Sequence, residues 1–101
     1  MHATVLEVDE LRTLLKDFKE RRGAEFHLSA LGFFGSYARG EATPDSDVDV
    51  VFHTDRPNLF LTAILKQDLE SWLERGVDVV RFRETMNPRL KARIEREAKY
   101  V

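Results

Sequence analysis

A chain of 101 residues has room for one core of two packed layers, and it reads as a single domain over residues 1–101 with no separate substrate domain. With 43% hydrophobic and 34% charged residues, no apolar run long enough to span a bilayer and no signal-peptide pattern over Met1 to Glu10, the profile is that of a cytoplasmic globular protein. The lack of cysteine excludes disulfides and thiolate-ligated zinc, His2, His27 and His53 are scattered without metal-ligand spacing, and a net charge of -2 argues against broad polynucleotide binding while leaving room for a single nucleotide.

Leu11, Leu14, Leu15 and Phe18 recur at helical spacing behind Asp9, a fair N-cap, and Arg21-Arg22-Gly23 supplies a basic last turn and a glycine stop. This helix covers one face of a sheet. From Glu25 to Phe34 the pattern turns strand-like, with Phe26, Leu28, Ala30 and Gly32 on one side and His27 on the other, facing solvent.

Leu31 to Phe52 is the stretch around which the chain is organised. Leu31, Phe33 and Phe34 lead into Gly35-Ser36, and Ala38-Arg39-Gly40 reads as one short helical turn. Gly35 lets the backbone approach a ligand closely, while Ser36 and the N–H groups after it can cap the turn and offer donors to an anionic oxygen. A polar loop from Glu41 to Ser46 precedes a second apolar run, Val48, Val50, Val51 and Phe52, which carries Asp47 and Asp49. Strand alternation puts those two acids on the same side. Paired carboxylates repel each other, so the arrangement marks a divalent cation site whose hard oxygen ligands suit Mg²⁺.

Past Pro57 a second helix buries Leu61, Leu65, Leu69, Trp72 and Leu73 and stops at Gly76, with Trp72 read as core. Phe60 and Ile64 widen its stripe and hint at a surface that something else covers. Val77 to Phe82 has the apolar density of an interior strand, interrupted by Asp78, which is either a strand-end aspartate facing solvent or an arginine, or a third metal ligand. Asn87-Pro88 then caps a last helix running toward Lys99, with Leu90 and Ile94 inward and a basic exterior from which Arg89 or Arg93 could reach a phosphate. The expected fold is α/β, a small sheet flanked by helices. Three acids opposite a glycine-serine turn are the parts two-metal phosphoryl and nucleotidyl transfer needs, with cations about 3.5 to 4 Å apart.

Gly35-Ser36, ten intervening residues and Asp47-Val48-Asp49 match the GS-x10-DxD signature of the polymerase β-like nucleotidyltransferases, with Asp78 where the third carboxylate is expected. The fuller run Gly35-Ser-Tyr-Ala-Arg-Gly40 and Ser46-Asp-Val-Asp49, together with the ending Asn87-Pro88 to Tyr100, resembles the minimal nucleotidyltransferases, or MNT proteins, over nearly the whole chain. That resemblance implies the minimal nucleotidyltransferase fold with a mixed sheet, and an antitoxin that transfers AMP from ATP to a tyrosine of a HEPN-domain toxin, in a hetero-oligomer with it. It further implies Asp47 and Asp49 as ligands of two Mg²⁺ ions, and Asp78 as a ligand of the catalytic ion that also helps deprotonate the acceptor. Gly35, Ser36, Arg39 and Ser46 would serve the nucleotide, Arg39 by supporting either the loop or the phosphates. Tyr37 stands where many relatives carry arginine, and would pack or stack on the nucleotide instead. Two other readings compete: transfer to a small-molecule acceptor, which the missing acceptor domain disfavours, and a non-catalytic antitoxin that works by occlusion, which has no need of three clustered acids.

Overall fold

Helix α1 (Val8–Arg22) turns Leu11, Leu15 and Phe18 inward, as their spacing predicts. The computed structural model describes residues 4–101, so His2 and the first residues of the stretch read for a signal peptide lie outside it. Both predicted ends of α1 differ from expectation. Glu7, not Asp9, is the N-cap residue and makes no side-chain cap; Asp9 sits in the first turn, where a carboxylate favours the helix dipole. Gly23 has ordinary helical φ and runs straight into a 3-10 turn (Gly23–Phe26), and the left-handed residue that ends it is His27, φ 54°. That turn stacks Phe26 on Phe18 with ring centroids 6.0 Å apart. The strand predicted from Glu25 therefore starts only at Leu28.

Strand β1 (Leu28–Phe34) carries an irregularity between Leu28 and Ala30. A bulge of this kind shifts the side-chain alternation by one. Consequently Leu28, Leu31 and Phe33 all join the core under α1, where simple alternation had grouped Phe26, Leu28, Ala30 and Gly32. β1 pairs antiparallel with β2 (Val48–Thr54), and β2 pairs parallel with β3 (Val77–Arg81), giving a mixed sheet in the order β3-β2-β1-β4.

The fourth strand is a finding. The last helix, α4 (Pro88–Glu97), starts at the predicted Asn87 cap, which accepts from the N–H groups of Arg89 and Leu90. It stops before Lys99, because Ala98 is extended and β4 (Lys99–Tyr100) returns to β1, pairing Gly32 with Tyr100 and Phe33 with Lys99. Two residues carry too little periodicity to be read as a strand.

Helix α3 (Leu59–Leu73) is capped by Asn58 and buries Leu65, Leu69 and Leu73. Trp72 meets Phe18 edge-on and donates from Nε1 to the Leu14 carbonyl at 2.9 Å, so it is core, as its stripe indicates. Glu74, φ 56°, takes the left-handed C-cap position that had been given to Gly76. The two sheet faces are covered unequally. α1 and α3 lie over Leu31, Phe33, Val48, Val50 and Phe52, whereas α4 lies over Phe34 and Val51 on the opposite face. Among the described residues no helix is long and apolar enough to cross a membrane.

Candidate active site

At the end of β1 the backbone of Gly35 adopts φ 74° and ψ -152°, a region that L-residues avoid. A side chain there would also collide with the carboxylate of Asp49. Both constraints demand glycine. Helix α2 (Ser36–Arg39) follows at once, two residues earlier than the predicted turn, and closes on Gly40 at φ 72°. Gly35 itself is the N-cap, so Ser36 is the first helical residue and its half-buried side chain makes no cap hydrogen bond. From below, buried Tyr37 anchors α2 in the core, its hydroxyl accepting from Nη1 of Arg75 at 3.2 Å. The expectation that Tyr37 packs holds; a side chain this deep has no face left to stack on a nucleotide.

The register brings the three acids to one side of the sheet. Phe34 pairs with Asp49, and Asp49 pairs with Asp78 across the parallel β2-β3 ladder. Directly paired residues point to the same face, which here is the face under α4 that Val51 and Val80 share. Asp47 lies one alternation before Asp49, against Gly76, where any Cβ would strike its carboxylate. Gly76 thus leaves space for an acid rather than stopping a helix. Sequence periodicity could not show this, because the contact is tertiary.

None of Asp47, Asp49 and Asp78 accepts a hydrogen bond or enters an ion pair among the described residues, although Asp49 is half-buried. Burial pushes the Asp49 carboxyl up from its ordinary range, and the negative charges of Asp78 and Asp47 add to this, while Arg93 and Arg39 pull it down. Asp78 has no arginine partner in these contacts and is exposed, so both a solvent-facing strand residue and a metal ligand fit its place. Acids crowded together with no protein cation as partner, two of them seated against glycines, fit divalent cations. As they stand, no three His, Asp or Glu side chains among the described residues are close enough to hold one ion.

The outlying candidates are placed differently. Arg39 is bonded to none of the three acids; it donates from Nε to Glu41 at 2.9 Å and from Nη1 to Glu97 at 3.0 Å, which makes it a support of the loop. Ser46 braces the loop before β2, its hydroxyl accepting from the Thr43 N–H at 2.9 Å. Arg93 lies over the Phe34 ring at 5.7 Å and acts electrostatically on Asp49, whereas Arg89 makes no ion pair among the described residues. Glu97 was not foreseen. Its carboxylate takes the Gly35 N–H, and the only local signal was an acid four residues beyond Arg93 on a helix read as basic outside.

Residues 11–101 match the family described as the nucleotidyltransferase domain. The protein adenylyltransferase MntA of Thermococcus cleftensis is 33% identical over 98 residues, covering 96% of this chain and 98% of that protein. A solved structure described as a minimal nucleotidyltransferase is 32% identical, with a TM-score of 0.76 over 95% of this chain and 97% of that one. The complex of a tri-AMPylated HEPN toxin of Shewanella oneidensis with an MNT antitoxin is matched at 21% identity and a TM-score of 0.59, covering 93% of this chain and 67% of that one, a likeness of fold.

Proposed function

Since the chain belongs to the nucleotidyltransferase domain family, we propose that it is a cytoplasmic, Mg²⁺-dependent adenylyltransferase that moves AMP from ATP to a tyrosine hydroxyl of a partner HEPN toxin, and so acts as its antitoxin. The observation that carries this reading is the set of three unpaired carboxylates on one sheet face beside the Gly35 turn. Asp47 and Asp49 would hold Mg²⁺, and the turn at Gly35 and Ser36 would receive the phosphates of the nucleotide. Bound cations would supply the charge neutralisation that the attacking and leaving oxygens require. Asp78, exposed at the sheet edge, takes the acceptor's hydroxyl proton as the new O–P bond forms at the α-phosphorus and the bond to pyrophosphate breaks.

The edge position of Asp78 supports a large acceptor. Among the described residues β3 has no strand on its outer side, and the first turns of α3 beside it expose Leu59, Phe60 and Ile64. Apolar side chains left in water next to an open strand edge suit a protein partner better than a small molecule. The fold shared with an MNT antitoxin and the relationship to a protein adenylyltransferase support the same choice. Intact-mass measurement after incubation with ATP, Mg²⁺ and the HEPN protein tests it. The partner should gain one or more AMP masses with release of pyrophosphate, and none in EDTA. AMP transfer to an aminoglycoside with none on the protein would overturn the choice of acceptor.

A further inference from the structure

On the strength of the nucleotidyltransferase reading, we propose that Glu97 is the positioning residue of the phosphate turn, a carboxylate that clamps both ends of α2 in the conformation that receives the nucleotide. Glu97 is the last residue of α4, far from the turn in sequence, and its side chain is only 12% exposed. Its Oε1 accepts from the Gly35 N–H at 3.2 Å, before the first residue of α2, and from Arg39 Nη1 at 3.0 Å, at the last. One oxygen therefore spans the helix from outside, while Tyr37 fixes it from inside.

The need for such a clamp follows from Gly35. A glycine at φ 74° has more conformations open to it than any other residue, and α2 is too short to hold itself. The Gly35 N–H is also buried, and an unpaired buried donor is costly. Glu97 answers both demands with a charged acceptor, which binds an N–H more strongly than a neutral one. Its charge is used further: Arg93 lies 3.9 Å from Oε1 and Arg96 3.8 Å from Oε2. Glu97 so draws Arg39 and Arg93 to the side of the sheet where both lower the Asp49 carboxyl. Touching neither nucleotide nor acceptor, it acts through the turn.

Two variants separate positioning from simple packing. Glu97→Gln keeps an acceptor oxygen for Gly35 but no charge for the arginines; Glu97→Ala keeps neither. Mg²⁺-ATP affinity by calorimetry should weaken about ten- to hundredfold in the alanine variant and be largely rescued by glutamine. In parallel, the Gly35 amide proton resonance should move strongly in Glu97→Ala and little in Glu97→Gln, with both thermal melts still cooperative. Equal losses of affinity in the two variants, each matched by a lower melting temperature, would show a structural role only. A shifted Gly35 resonance with wild-type ATP affinity would overturn the clamp and leave the nucleotidyltransferase reading standing. If the wild-type protein itself bound no Mg²⁺-ATP, the functional reading would fall, and this one with it.

Discussion

The two faces of one strand have opposite fates. On β2, Val48, Val50 and Phe52 enter the core beneath α1 and α3, where they are buried together with Leu11, Leu15, Phe18, Leu65 and Leu69. Asp47, Asp49 and Val51 alternate to the face under α4, whose buried cluster is small, and the sheet end that carries the acids is left partly open. Burying the first face stabilises the fold by about 1.5 to 3 kcal/mol for each large apolar side chain. The second face works against the fold, since three carboxylates gather there without a protein cation bonded to any of them. One period-two strand thus serves both stability and chemistry by giving each its own side.

That contrast can be broken from either face. The largest effect is expected from Asp78→Asn. Asp78 is exposed and makes no hydrogen bond or ion pair among the described residues, so the melt should change little, and Asp47 and Asp49 should still hold Mg²⁺-ATP at near wild-type affinity. AMP transfer at saturating ATP should fall by about 10² to 10⁴, the size of a lost general base. Transfer within a few-fold of wild type would leave Asp78 a mere strand residue. On the covered face, Leu69→Ala should behave in the reverse way. Leu69 is 0% exposed, and its truncation should cost about 2–5 kcal/mol in urea unfolding while the folded fraction keeps its ATP affinity. The half-buried Leu90 of α4, cut back in the same manner, should cost less.

The smallest effect has the opposite sign. Asp49 has its carboxyl held above the ordinary range, so its ionisation opposes folding at neutral pH. Asp49→Asn should raise the melting temperature slightly at pH 7 without divalent cation. This gain should shrink as the pH falls and wild-type Asp49 takes up its proton. Added Mg²⁺ with ATP should stabilise the wild type and not the variant, and a variant melting at or below wild type in EDTA would contradict the electrostatic account.

Much of the site was legible because its parts are local. Gly35 to Asp49 is one turn, one loop and one strand, and alternation along β2 is enough to set Asp47 beside Asp49. The two main helical stripes, with Trp72 in the core, follow from spacing alone, as does the cap at Asn87, whose side chain bonds N–H groups two and three residues on; the same cap at Asn58 ends a stretch that reads in sequence only as a connection. Helix ends without such a side-chain signal were harder. At Gly23 and Gly76 a glycine stood near a helix end, but the left-handed residues proved to be His27 and Glu74, because packing against the sheet decided where each chain turned.

The sequence by itself determined the four α-helices, the three longer strands, the three acids and the glycine turn, because hydrophobic period and motif spacing act within a few residues. Only the tertiary structure decided that Glu97 clamps the turn, that Gly76 makes room for Asp47, that Arg39 and Ser46 brace loops, and that Lys99–Tyr100 closes the sheet as a fourth strand. Each of the contacts made by Glu97, Gly76 and β4 joins residues far apart in the chain. A carboxylate or a glycine shows no periodicity that points to such a partner, so its role exists only once the sheet has fixed the register and α4 has been laid across it.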